Sequence, residues 1–425
     1  MMKKYLEKLP QDIKDLINTA CSLANKMNLQ AYIVGGLVRD LFLGVKNLDL
    51  DIVIEDDGIG FAEAFANLFK AKLIRHRRFG TATVILKPGL KIDIASARRE
   101  IYPEPASLPQ VVPGTLMDDL LRRDFSINAM AIKISGKDFG KLIDLFSGRE
   151  DLASGKIRVL HELSFIDDPI RILRAVRFEK RYNFHVESKT LKLLKEASRI
   201  KMLDRVEPQR LRDELIMTLK EAQPLKQMRR LQELVGLRFI SSGLSLSKSD
   251  EQMFGAIRDE LHWFREVHTR RRQLDFWLIY FMSLLDGLST RSVKLICRKF
   301  AFLKGETKRI ISYKKVSHFF ILRLSQGKIR PADIFDLLEP LSYEVILLLK
   351  AKYKNPTFQK HINDFFEYYN GMHLHIRGDD LARLGLQPGP EYQEIFKKVL
   401  KAKLNGLVKT KEEELVLIGR LLGAR

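Results

Sequence analysis

The sequence predicts an α+β fold: a small mixed sheet with its helices in residues 1–150, then an all-α neck, body and tail. Three observations carry this. Short apolar runs of period two, punctuated by glycine and proline, crowd the first 150 residues. After Gly148 the apolar spacing takes the helical period and strands almost vanish. A chain of 425 residues also exceeds what one core ordinarily holds, so two to four domains are expected.

In chain order, residues 5–16 read as an amphipathic helix. Residues 31–34 are a brief β-type run ended by Gly35-Gly36, and 37–43 a short helix. Residues 48–54 alternate Leu, Asp, Leu, Asp, Ile, which is a strand with its carboxylates on one face. Residues 61–69 are helical by spacing, while 73–76, 81–86 and 90–95 are strands able to pair with the first two. Residues 98–117 carry four prolines and a glycine and read as a loop. Helical periodicity follows at 171–181, 188–197, 208–220, 249–263, 274–285, 332–338 and 392–403.

Lys and Arg number 74 against 53 acidic residues, a formal charge of +21. This excess points to a polyanionic partner, because each neutralised phosphate releases counterions. Charge alone does not separate DNA, RNA and an acidic membrane surface. The apolar stretches are too short to span a bilayer, and no secretory signal pattern precedes residue 16. The two cysteines, Cys21 and Cys297, allow neither a disulfide framework nor a cysteine zinc site. A cytoplasmic protein without a membrane partner is expected, as monomer or homodimer.

Transfer from a nucleoside triphosphate needs a divalent metal on hard oxygen ligands, with amides or cations around the phosphates. Asp49 and Asp51, two apart on a strand, point to one side about 7 Å apart and can share metal ions. Asp93, in the frame Lys91-Ile92-Asp93-Ile94, offers a third carboxylate from a neighbouring strand. Gly35-Gly36 is a side-chain-free turn at a helix start, where backbone N–H groups can approach phosphates.

The string Val34-Gly35-Gly36-Leu37-Val38-Arg39-Asp40, followed by Leu48-Asp49-Leu50-Asp51, resembles the first motif of class II tRNA nucleotidyltransferases (CCA-adding enzymes) and bacterial poly(A) polymerases. The segment from Arg122-Arg123-Asp124 through Asn128 to Ala131 resembles their second. Leu142-Ile143-Asp144 with Gly148 and Asp151-Leu152 resembles the third. Asp167-Asp168-Pro169-Ile170-Arg171 through Arg174 and Arg177 resembles the fourth, and Val206 to Glu214 the fifth.

The resemblance implies a polymerase-beta-type nucleotidyltransferase head at 1–150, a helical neck with a base-reading helix at 151–220, and a tRNA-binding body and tail at 221–425. It implies Mg²⁺ as cofactor, on Asp49 and Asp51 as the catalytic metal ligands. Gly35, Gly36 and Arg39 fall in the triphosphate element. Arg123 and Asp124 match the sugar-contacting block, with Asn128 in support. Asp168 and Arg171 match the base-reading pair, and Arg174 and Arg177 lie near base or phosphates. The family's leading Glu, which orients the reading arginine, is replaced by Asp167. The implied reaction is CCA addition to tRNA from CTP and ATP. CC-only addition, A-only addition and poly(A) synthesis share the motifs, and a catalytically dead RNA-binding protein is the rival of another class.

Base choice also follows from the residues. Cytosine and adenine present an amino donor beside a ring-nitrogen acceptor, whereas guanine and uracil present a carbonyl and an N–H there. A carboxylate beside a guanidinium matches the first pair and mispairs with the second. Asp168 and Arg171, three apart, are expected on one helix face. For the tail, Arg270, Arg271, Arg272, Lys308 and Arg309 are candidate RNA contacts.

Overall fold

The computed structural model describes residues 2–45, 49–87, 89–267 and 273–423. Packing divides the chain into two compact units, Met1–Gly243 and Leu244–Arg425.

The first unit is built on a sheet. Its strands are β1 (Gln30–Val34), β2 (Leu50–Glu55), β3 (Lys72–His76), β4 (Thr81–Lys87) and β5 (Leu90–Ser96). A separate hairpin, β6 (Arg98–Ile101) and β7 (Gln110–Pro113), precedes β8 (Met130–Lys133) and β9 (Leu142–Asp144). Seven strands run in the order β3-β4-β5-β2-β1-β8-β9. Only the β2–β5 pair is parallel, and its register sets Asp51 opposite Asp93. The interior strand β1 is apolar from Ala31 to Val34 and fully buried there, as a strand covered on both faces must be. The helices Gln11–Lys26 and Gly58–Leu68 pack together on the sheet, burying Ile13, Ile17, Phe61 and Phe65. A second cluster joins Tyr32, Val34 and Val53 to Leu116, Leu120 and Ala131.

Two expectations are corrected. The helix foreseen over 5–16 is broken into Lys3–Leu6 and Gln11–Lys26, because Pro10 cannot donate within a helix and instead opens the second one. The loop foreseen over 98–117 contains the β6–β7 hairpin. Arg98 pairs with Pro113 at its open end, and the other three prolines fall in the connection.

Helices Arg171–Arg181, Ser188–Arg199, Pro208–Leu219 and Pro224–Val235 complete this unit. Phe178 meets Phe125 edge-on at 5.9 Å and so ties the first of them to the second motif. In the second unit every element among the described residues is a helix. Phe276–Leu284 and Tyr343–Lys352 are buried nearly all round and form its centre with Lys248–Val267. The helices expected at 332–338 and 392–403 stand at Pro331–Leu338 and Pro390–Leu404.

Candidate active site

β1 ends at Gly35, whose φ of +73° is a backbone state that glycine tolerates best. A Cβ here would lie 2.7 Å from Nη1 of Arg123. The helix Gly36–Leu43 starts immediately after it, with no side chain capping its first turn. Those amides and the positive end of the helix dipole favour an anion. Arg39, one turn on, is buried. Its Nε and Nη2 donate to Asp40 at 2.8 and 2.9 Å and its Nη1 to Asn128 Oδ1 at 2.6 Å.

A cavity of about 520 Å³ opens over this turn. It brings together Gly35, Gly36, Arg39, Asp51, Arg123, Asp124, Asn128, Asp168, Arg171 and Arg174. Six arginines line it (39, 122, 123, 171, 174 and 210) against four carboxylates (51, 100, 124 and 168), an excess of cations suited to a polyphosphate. Asp49 and Arg177 lie outside that lining, in an adjoining cavity of about 600 Å³ that shares Gly36, Arg39 and Asp51 with the first.

Asp51 is on β2, while Asp49 stands just before the first residue of that strand and is exposed; Leu48 lies outside the described residues. The Asp51 carboxyl is pushed up to about 6 by burial. Arg123 opposes the shift, and Asp93 and Asp49 add to it. A buried carboxylate among other carboxylates gains from a divalent cation, and the hard oxygens of Asp49 and Asp51 fit one. Asp93 is engaged elsewhere: its Oδ1 accepts from Thr83 Oγ1 and its Oδ2 lies 3.2 Å from Lys91 Nζ. Accordingly, no group of three His, Cys, Asp or Glu residues forms a metal cage among the described residues.

Behind the cavity runs a chain of paired charges. Asp124 accepts from Asn128 Nδ2 at 2.9 Å and from Arg174 Nη2 at 2.6 Å. Burial opposes its ionisation, but Arg174, then Asn128, hold the carboxyl down at about 2. Arg123 donates to Asp119 at 3.0 Å, and its Nε is buried without a hydrogen-bond partner. Arg177 is turned away from the main cavity. It is buried and bonded to Glu214. In the third motif, Asp144 accepts from the Gly148 and Arg149 amides, and buried Asp151 accepts from Ser126. That motif therefore props up the second one.

Asp168 and Arg171, the pair expected to read the base, differ in detail from the expected helix face. The helix begins at Arg171, and Asp168 precedes it in a more extended conformation, with ψ of 88°. The turn at Pro169 still brings both side chains to the cavity. Arg171 donates to Ser164 Oγ at 2.6 Å and to the Arg122 carbonyl at 2.7 Å. Asp167 faces His161 at 3.9 Å, so the hydrogen bonds holding the arginine come from Ser164 and Arg122.

Glu100, Tyr102, Arg122 and Arg210 also line the cavity. Tyr102 donates to Glu100 at 2.9 Å, and Glu100 pairs with Arg98 and Arg122. The alternation Arg98-x-Glu100 was the signal, masked by the prolines that suggested a loop. In the second unit, Arg270, Arg271 and Arg272 lie outside the described residues. Lys308 is exposed, whereas Arg309 is tied to Asp275 and Glu344 at 2.7 and 2.8 Å.

A mixed sheet carrying a glycine turn beside a carboxylate strand defines a nucleotidyltransferase-type head. Consistently, residues 31–158 match the family described as the poly A polymerase head domain. The chain is 36% identical over 419 residues to the A-adding tRNA nucleotidyltransferase of Geobacter sulfurreducens, covering 97% of this chain but 47% of that one, about half its length. It is 33% identical to the A-adding tRNA nucleotidyltransferase of Halalkalibacterium halodurans, over 96% of this chain and 92% of that one. The Thermotoga maritima CCA-adding enzyme solved with tRNA superposes with a TM-score of 0.70 at 34% identity, over 99% and 98% of the two chains. The chain belongs to the class II tRNA nucleotidyltransferase family.

Proposed function

We propose that this chain adds C and A to the 3′ end of tRNA, using CTP and ATP with Mg²⁺. The observation that carries the reading is one cavity holding the glycine turn, Asp51 and the Asp168/Arg171 pair, so that triphosphate, metal and base elements converge. The amides at Gly35-Gly36 and the guanidinium of Arg123 hold the triphosphate, with Arg39 bracing the turn through Asn128. Asp124 and Asn128 face the ribose. Asp168 accepts from the exocyclic amino group of the base and Arg171 donates to its ring nitrogen. Asp49 and Asp51 would hold the divalent ion, which when bound offsets charge on the transferring phosphoryl group. The RNA 3′-hydroxyl gives its proton to solvent, its oxygen bonds to the α-phosphorus, and the bond from that phosphorus to the bridging β-phosphate oxygen breaks, releasing pyrophosphate.

We place the head, neck and tRNA-binding body at 1–150, 151–220 and 221–425. Lys308, Arg309 and the run Arg270, Arg271, Arg272 are candidates for RNA phosphates, and Asp93, opposite Asp51 across the β2–β5 pair, is the candidate third carboxylate for the metal.

A-only addition is the second reading, favoured by the two A-adding relatives. Transcripts ending at the discriminator base, at C and at CC, incubated with CTP and ATP together and with each of them alone and then sized, decide between them, the mixture being the arm that reads full growth. The proposal expects growth by three, two and one residues respectively. Growth of the CC transcript alone would assign A-only addition, and a long ladder with ATP would assign poly(A) synthesis.

A further inference from the structure

We propose that Arg210 is a specificity-determining residue that acts through Asp168, fixing this carboxylate so that one oxygen is left to meet the incoming base. The inference rests on Asp168 and Arg171 being the base-reading pair. It starts from an ion pair across the cavity. Nη2 of Arg210 lies 2.8 Å from Oδ1 of Asp168, and both side chains line the space where the base would sit.

The guanidinium hydrogen-bonded to Asp168 is that of Arg210. Arg171 is held by two neutral oxygens, the Ser164 hydroxyl and the Arg122 carbonyl. A carboxylate has two oxygens with about four lone-pair sites. With Oδ1 taken by Arg210, Oδ2 is the acceptor presented to an amino group. Without that hold the carboxylate turns freely about its side-chain bonds, and its pairing edge loses definition.

Arg210 is itself well placed. It sits in the first turn of the helix Pro208–Leu219, which starts at a proline and therefore has a fixed entry. Glu214, one turn on and on the same face, bonds Arg177 and lies 3.7 Å from Arg174, both on the helix that follows Asp168. The two helices are thus tied by charge pairs, and the Arg210–Asp168 bond is referenced to that frame. The fifth motif thereby gains a physical role: it orients the acceptor half of the base-reading pair.

The test uses the full chain, on whichever transcript end the parent extends, with Arg210→Ala, Arg210→Lys and Asp168→Ala compared for all four nucleoside triphosphates. Arg210→Ala is expected to raise KM for the accepted nucleotide roughly tenfold with kcat nearly unchanged, and to narrow the preference for A over G, or C over U, by about the same factor. Arg210→Lys restores most of the preference, because the charge is kept. Circular dichroism and the melting temperature of each variant check the fold, and Arg210→Gln takes the place of the alanine variant should that one prove unstable. Parental selectivity in both Arg210 variants, with Asp168→Ala relaxed, overturns the role of Arg210 alone. Parental selectivity in Asp168→Ala overturns the base-reading assignment beneath it.

Discussion

Arg174 Nη2 lies 2.6 Å from Asp124 Oδ2, joining two motifs fifty residues apart in the sequence. The bond connects the helix Arg171–Arg181 to the turn below the nucleotide cavity, and Asp124 passes the connection through Asn128 to Arg39 at the glycine turn. A displacement of the base-reading helix is thereby felt at the proposed phosphate site.

Breaking this link has a predictable pH signature. The Asp124 carboxyl sits at about 2, below the unfolded value near 3.9. Its contribution is therefore present above pH 4 and lost as pH falls toward 2. Asp124→Asn is expected to lower stability by about 2 kcal/mol at pH 7, with the deficit closing below pH 3. Denaturant unfolding at both pH values measures it; an equal deficit at each would assign the loss to packing.

Asp51 has the opposite sign. Burial raises its carboxyl to about 6, so folding without metal is penalised above that pH and not below about 4. Asp51→Asn should stabilise the metal-free protein at pH 8 by on the order of 2 kcal/mol and leave it unchanged at pH 4. Urea melts in the presence of a chelator are the check. A destabilised variant at pH 8 would mean that the pairing with Arg123 outweighs burial.

Gly35→Ala combines a positive φ with a Cβ at 2.7 Å from the Arg123 guanidinium. A loss of about 1–2 kcal/mol in stability is expected, together with weaker CTP and ATP binding in calorimetry. Unchanged nucleotide affinity would remove Arg123 and the turn from the triphosphate site.

Much of this was legible in the chain, and the failures have physical causes. The β-strands at 81–86 and 90–95 stand where period two placed them, each burying one apolar face, and 31–34 stands where its apolar run ahead of Gly35-Gly36 placed it. β8 and β9 were not assigned in advance: they are short, and β8 is so buried that it has no alternation to read. The members of the main cavity were recognisable from their motifs. Their partners were not, because Arg171–Ser164, Arg210–Asp168 and Arg177–Glu214 are set by tertiary contact between helices, and sequence spacing carries no trace of them.

Packing also sets a better boundary for truncation than composition does. A chain ending at Gly243 keeps the first unit whole. It should bind CTP or ATP like the parent, yet bind tRNA more weakly and with a flatter salt dependence, as fewer phosphates are neutralised. Filter binding over a salt series reads both quantities, and an equal slope would make the second unit a scaffold.

The central claim is that Asp49 and Asp51 carry nucleotidyl transfer. Its most direct test is single-turnover incorporation into a tRNA transcript by Asp49→Asn and Asp51→Asn at saturating Mg²⁺, with tRNA affinity measured on the same preparations. The account predicts a loss of several orders of magnitude in rate for each variant with tRNA affinity nearly unchanged. Parent-like turnover by either one would contradict it.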